Sequence, residues 1–530
     1  MRIEAMLAAL ALLAAGSAAA QSPPPQSPPP RLTARLADYL EMPATGVVRV
    51  EEPRSQIARL NVLREEPGGE RLFINDQTGQ LYIVDKAARR VFPYLNLNGS
   101  GQAKGLFPRL VADASFASGF FNFAFDPDYR RNGVFYTVHL EDVARPEPAG
   151  PRAGVQGVDV SDYAVTPAIV SPVGGGAQIT REAVLVEWTD RNLADTRFEG
   201  PVREVLRVQL MSGVHPMADV TFDPTARPGD PEWRMMYFSV GDSGGGETPD
   251  VRRLIPQRLD SFGGKVMRIV PDPREHVSTS RISDNGAYRI PNDNPFADTP
   301  GARGEIWAYG MRNPHRLSWD VPAAPGAPPR LLAYVIGSNG GQPRYETINI
   351  VSRGANYGYP LREGSDDKPL SPVYGPLAEN HTLPLRISDT VTLNQRTPIR
   401  YSALQYATGA EGLAIAGGFV YRGRNFPALR DTVVFGDITS GGIFYARMAD
   451  LDAADDDDPR TMAPFAEIAT DLRARAEAKF RQRAPNGPYP ASAPIGPRAR
   501  LDMRLGTDAD GEIYILTKSD GMVRRIESIE

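Results

Sequence analysis

One phrase recurs along this chain: an apolar strand, a turn built on aspartate, then a second strand with a tyrosine near its middle. It occurs as Phe123-Ala-Phe-Asp-Pro-Asp-Tyr129 before Gly133–Val138, and as Val220-Thr-Phe-Asp-Pro224 before Met235–Val240. It returns as Leu317-Ser-Trp-Asp320 before Leu331–Ile336, and as Leu505-Gly-Thr-Asp-Ala-Asp-Gly511 before Glu512–Leu516. A further hairpin, Arg71–Asp85, turns on Asp76-Gln-Thr-Gly79. A strand–turn–strand unit cannot bury both of its faces alone, so units repeated tens of residues apart must pack on one another. The pattern predicts an all-β chain, a β-propeller, in one large domain over residues 32–530, because no linker interrupts the repeat. The 50 glycines and 49 prolines suit many short strands joined by tight turns.

Three stretches depart from the phrase. Residues 146–175 are rich in Pro, Gly and Ala and read as a long surface excursion. Asp452–Asp458 is acidic but lacks the glycine and glutamate spacing of an EF-hand loop, and reads as a solvated turn. Leu472–Arg483 is the best helix former, basic and expected to be exposed, and Pro-Asn-Gly-Pro follows it. Ahead of the repeats, residues 1–20 read as a secretory signal: Arg2, an apolar run from Met6 to Ala15, and Ala18-Ala-Ala20 before a Pro-Ser-Gln spacer over 21–31. The apolar run falls short of the ~18 residues a span needs. With no cysteine there are no disulfides or thiolate metal sites, and the expected home is the periplasm. A net charge of −5 argues against nucleic acid as the main partner.

Few residues can carry chemistry. There are five histidines, with no HExxH pair, no GxSxG elbow and no phosphate-cradling glycine loop between strand and helix. His215 stands just before one strand of a repeat, and Asp242 just after its partner strand. If those strands pair, both side chains emerge at one end of the sheet. A carboxylate on one imidazole nitrogen fixes the tautomer and frees the other nitrogen as a base; a plain turn histidine is the other reading. Arg312-Asn313 sits on a turn between strands, followed by the glycine-rich loop Gly337-Ser-Asn-Gly-Gly341.

The ordered series Phe123–Tyr129, His215, Gly241-Asp-Ser-Gly244, Gly263-Gly-Lys-Val-Met-Arg-Ile269, Ile290-Pro-Asn-Asp-Asn-Pro-Phe296, Tyr309-Gly-Met-Arg-Asn-Pro314, Gly354-Ala-Asn-Tyr-Gly-Tyr-Pro360, Gly417–Gly423 and Phe435-Gly-Asp437 resembles the soluble quinoprotein glucose/sorbosone dehydrogenase family. The resemblance runs from about Arg71 to the C-terminus. It implies a six-bladed propeller of four-stranded antiparallel blades, with pyrroloquinoline quinone (PQQ) and Ca2+ at one mouth. By that resemblance His215 is the general base for an aldose or related sugar, oriented by Asp242. Arg312 faces the quinone oxygen and Asn313 contacts the cofactor. Gly337 and Ser338 offer carbonyls to calcium, and Glu346 and Tyr357 hold a further structural calcium. A cytochrome or quinone takes the electrons. The chain also departs from the pattern. Ala117-Ser118 replaces an expected glutamine, Thr439-Ser440 stands where a cofactor-binding lysine is expected, and Pro216-Met217 follows the histidine. The expected arginine pair is matched only by Arg500 and Arg504. PQQ carries three carboxylates, so lost cations weaken its binding. A propeller that binds a saccharide or protein without redox chemistry, and a calcium-dependent lactone hydrolase, remain alternatives.

Overall fold

The computed structural model describes residues 27–48, 55–69, 71–112, 118–171, 178–248, 250–324, 326–338, 344–367, 381–409, 411–490 and 500–530. The signal-like segment 1–20, most of the spacer and Ala117 lie outside them.

Each copy of the recurrent phrase becomes the first two strands of a four- or five-strand unit. Phe120–Phe125 pairs with Val134–Asp142, Met217–Phe222 with Met236–Val240, Asn313–Asp320 with Arg330–Ile336, and Met503–Thr507 with Ile513–Thr517, all antiparallel. The predicted hairpin forms the middle of another sheet, Leu60–Glu65, Arg71–Asp76, Gln80–Asp85 and Arg90–Asn96 in that order. The turn aspartates are used as the phrase implied. Asp126 accepts from the backbone of Asp128, Asp223 from Thr225, and Asp508 from Asp510 and Glu512. The Tyr514 hydroxyl closes back on Asp508 at 2.8 Å.

The first strands of successive sheets pack side by side: Leu60–Glu65 on Phe120–Phe125, then Met217–Phe222, Asn313–Asp320, Ile415–Tyr421 and Met503–Thr507, which returns to Leu60–Glu65. The result is an all-β, propeller-like arrangement around a hub. Strands such as Val134–Asp142 and Met217–Phe222 are buried along almost their whole length, because each sheet is sandwiched between neighbours. Burial there extends to polar side chains, Thr137, His139 and Glu141 on the first of these strands and Asp219 and Thr221 on the second. One sheet has eight strands, in which Leu32–Glu41 lies between Ala466–Ala469, which it meets in parallel, and Met522–Ile529, which it meets antiparallel. The first strand of the domain therefore covers the edge left by the last.

The departures also resolve. The helix Leu472–Arg483 forms as expected, but it is not simply exposed: Leu472, Ala476 and Phe480 are buried on one stripe. The acidic run ends the helix Met448–Ala454, and Asp455 and Asp457 then pair with Arg400 at 2.8 and 2.7 Å. Within residues 146–171 the only named strand is Val158–Asp159, which meets Gly200–Pro201.

Candidate active site

Because Met217 pairs with Val240, the residues just outside these two strands meet at one end of the sheet. The Gly241 N–H donates to the Pro216 carbonyl at 3.2 Å, and Ser243 N–H to the His215 carbonyl at 3.3 Å. Gly241 is needed there, since a Cβ would lie 2.5 Å from the His215 Cβ and 2.7 Å from its carbonyl oxygen. His215 itself has a left-handed backbone, φ +53°. Its Nδ1 lies 2.6 Å from Asp242 Oδ1. Asp242 is fully buried and also accepts from the Gly244 N–H at 3.0 Å and the Gly246 N–H at 2.7 Å.

Arg312 reaches the same place from the next sheet. Its carbonyl accepts the Asp242 N–H at 2.8 Å, and its buried guanidinium donates to the Gly337 carbonyl and to the Glu247 carboxylate. Asn313 follows it in register with Ile336 and is buried, and its Oδ1 has no hydrogen-bond partner among the described residues. The same is true of Arg312 Nε and the Tyr359 hydroxyl. The Tyr359 hydroxyl lies so close to Gly246 that a Cβ there would collide with it and with Asp242 Oδ2. His215, Asp242, Arg312 and Asn313, which are separated by up to 98 residues, thus converge on one mouth of the hub.

The electrostatics give these groups distinct roles. Burial and the Arg312 charge together outweigh Asp242 and hold His215 below its ordinary 6.5. Burial pushes Asp242 up, but His215, Arg312 and the Gly246 N–H more than offset it, and its carboxyl sits below the usual 3.8. Asp242 is therefore an ionised acceptor, and the imidazole is neutral with its proton on Nδ1. Nε2 makes no hydrogen bond among the described residues and is available as a base.

Behind this group the hub is cationic. Arg504 is buried on the strand Met503–Thr507, with no carboxylate in ion-pair range among the described residues. Burial, then Arg316, pushes it down to about 9. Lys518 is equally buried; its amine donates to Gln77 Oε1 at 2.5 Å, and burial and Arg504 hold it well below 10.5. Gln77 Nε2 and Ser519 Oγ are buried without partners among the described residues. His315 is held well below 6.5 by burial and by Arg316, Arg504 and Lys518, with His215 also in reach. Lys518 and Gln77 were not singled out from the sequence. Both stand in polar turns, Thr517-Lys-Ser-Asp-Gly521 and Asp76-Gln-Thr-Gly79, which locally read as surface.

The remaining expected residues are divided. The Arg500 Nε is engaged by Asp502 at 2.6 Å. The Thr439 hydroxyl donates to Asp437 at 2.6 Å, so no cation stands at that position. The Ser338 N–H donates to Glu363 at 3.0 Å, and the Gly337 N–H lies 3.3 to 3.4 Å from both oxygens of Glu346. Glu346 is pushed up to about 8, first by burial, with Asp437 adding to it. Glu346 and Tyr357, the residues expected at a further calcium, make separate contacts here. Strand alternation turns Glu346 toward the Ile415 N–H, at 2.9 Å. The Tyr357 ring packs with Leu331, Ala333 and Val335, and its hydroxyl bonds Ile350 and Ser352.

Comparison with known proteins agrees with the motif series. The glucose/sorbosone dehydrogenase family model matches residues 212–465, which include His215, Asp242, Arg312 and Asn313. The resemblance to that family is borne out. The HIPL1 protein of Arabidopsis thaliana is 25% identical over 475 residues, 88% of this chain and 61% of the plant protein. The chain thus spans about three fifths of that relative's length. The aldose sugar dehydrogenase YliI of Escherichia coli (strain K12) is 36% identical over 110 residues, 21% of this chain and 23% of its own. Among solved structures, the PQQ-bound form of an aldose sugar dehydrogenase from Streptomyces coelicolor superposes with a TM-score of 0.50 at 15% identity, covering 92% of this chain and all of that one. At that identity the likeness establishes the fold alone.

Proposed function

We propose that this chain is an exported sugar dehydrogenase that uses PQQ and calcium at the His215 mouth of a single propeller domain over residues 32–530. Six blades follow if the eight-stranded sheet is counted as two units of four strands, Ile415–Ala469 and Met503–Ile529 completed by Leu32–Glu41. One observation carries the reading: a neutral imidazole oriented by a buried carboxylate stands beside a buried guanidinium, in a hub whose Arg504 and Lys518 have no carboxylate within ion-pair distance among the described residues.

The donor set fits a planar group that bears carboxylates. Arg504 and Lys518 are buried charges awaiting an anion, and burying such charges unpaired is costly. Arg312 Nε, Asn313 Oδ1, the Tyr359 hydroxyl, Gln77 Nε2 and Ser519 Oγ are buried polar atoms awaiting partners. Arg504 and Lys518 would hold the cofactor's carboxylates and Asn313 its edge; the Ser338 carbonyl would hold the calcium beside Gly337, whose carbonyl is shared with Arg312, with Glu346 behind that loop. When bound, PQQ supplies an electrophilic quinone that accepts a hydride. Nε2 of His215 would take the proton of the sugar hydroxyl while Asp242 stabilises the imidazolium. The Arg312 guanidinium, fixed by Gly337 and Glu247, would face the oxygen on which negative charge grows. A cytochrome or quinone would take the electrons onward. Export to the periplasm is supported by the 1–20 pattern.

The test is dye reduction by the purified protein with PQQ, Ca2+ and a panel of aldoses. Activity that His215→Ala abolishes is expected; bound PQQ without sugar-dependent reduction refutes the reading. Thr439 in place of a cation favours a second reading, a non-redox saccharide binder at the same mouth. That reading predicts sugar-linked stabilisation and no effect of PQQ.

A further inference from the structure

We propose that the opposite mouth of the hub is a second ligand site, for a sugar acid of one or two rings. A cavity of about 740 Å³ opens there, within the ~300–1,000 Å³ range of small-molecule sites. It is lined by the first strands and by the turns that follow their C-terminal ends, such as Asp126-Pro127 and Asp223-Pro224, whereas His215 and Arg312 precede the N-terminal ends, so the two sites open at opposite ends of the hub.

Charge distinguishes this cavity from a water-filled channel. Its carboxylates are mostly neutralised: Glu65 and Asp508 by Lys86, Glu66 by Arg71, Asp126 by Arg234 and Asp219 by Arg64. Asp223 is used by its own turn, through Thr225. Arg316 is the exception. It is nine-tenths buried, lines the cavity, donates only to the carbonyls of His315 and Asn61, and has no carboxylate in ion-pair range among the described residues. The neighbouring Asp219 is its nearest counter-charge, but it lies outside ion-pair distance and is shared, with Oδ1 accepting from Arg64, Asn122 and the Val220 N–H and Oδ2 from the Leu317 N–H. The chain leaves space for the stem of this side chain: a Cβ at Gly417, φ +97°, would lie 2.5 Å from Arg316 Cγ. A buried cation facing a cavity, with no carboxylate in ion-pair range among the described residues, leaves room for a bound anion.

The walls specify what carries the anion. Trp233 and Trp319 line the cavity, and the Trp319 ring is fixed edge-on to Tyr237 at 5.3 Å. Trp319 Nε1 and Arg64 Nε are buried donors without partners among the described residues. Aromatic faces beside free donors suit a compact ring that shows apolar C–H faces and hydroxyl oxygens, with its carboxylate at Arg316.

Calorimetric titration of the full chain with D-glucuronate, D-gluconate and D-glucose tests this. Saturable glucuronate binding that weakens with salt is expected, with glucose weaker by about tenfold or more, the worth of one charge-assisted contact. Stronger glucuronate than gluconate binding would support the ring-stacking walls, and equal binding would overturn that part. Arg316→Gln should lower glucuronate affinity by about tenfold or more. Trp319→Ala should also weaken it, and serves if Arg316→Gln fails to fold. No saturable glucuronate binding, glucose binding as tightly, or affinity unchanged in both variants would overturn the proposal. Binding lost in His215→Ala but kept in Arg316→Gln would place the sugar acid at the other mouth and equally overturn it.

Discussion

Replacing Asp242 by asparagine keeps the side chain's shape and removes its charge. In the native site one oxygen takes His215 Nδ1 at 2.6 Å and the Gly244 N–H at 3.0 Å, while the other takes the Gly246 N–H at 2.7 Å. An asparagine amide must turn its NH2 toward one side. Facing Gly246, it opposes a donor with a donor. Facing His215, it donates to Nδ1 and drives the ring proton to Nε2, where the base is needed. A buried charge-assisted hydrogen bond contributes about 1.5–3 kcal/mol, which is roughly a 10- to 150-fold fall in kcat/KM. Asp242 also raises the His215 pKa, against the larger lowering by burial and Arg312. Its loss should therefore move the acid limb of the pH–rate profile further below 6.5 while the plateau falls. Nitrogen-15 spectra of the imidazole follow the same titration without reference to turnover. A variant with the wild-type plateau and the wild-type His215 titration would refute the orienting role.

Lys518→Met should weaken PQQ binding by about tenfold or more, yet raise the melting temperature of the cofactor-free protein, since it removes a buried charge. Lys518 is held well below 10.5 in the folded chain, so the unfolded chain binds the extra proton. Wild-type stability should thus rise with pH toward 10.5, and the variant should flatten that rise in pH-dependent melting curves. Gly246→Ala would press on both Tyr359 and Asp242, and should disturb the His215 titration while leaving the circular dichroism of the sheets unchanged. Leu36→Ala, in the strand that covers the edge of the last sheet, should cost about 2–5 kcal/mol in denaturant unfolding.

The architecture was legible because the turn aspartates recur with their tyrosines, and such turns need a carboxylate wherever they occur. The His215–Asp242 pair was legible for a local reason: their flanking strands are neighbours in one sheet, so spacing and end of sheet are linked. Arg312 required the motif series, since a lone arginine on a turn has no signature. Lys518 and Gln77 were invisible because their burial is created by distant strands that close the hub, 441 residues apart in the chain. The contacts of Glu346 and Tyr357 were not legible either, because strand alternation, not sequence proximity, decides which face a side chain takes. The helix Leu472–Arg483 misled similarly: its charge hid a narrow buried stripe at positions 472, 476 and 480.

Equilibrium titration of the purified protein with PQQ in excess Ca2+, followed by the cofactor's absorbance and by melting temperature, tests the central claim most directly. A saturable spectral change with a matching rise in melting temperature, both weakened by Lys518→Met, is the expected result. Neither response at high micromolar PQQ would contradict the assignment of this mouth to a quinone cofactor.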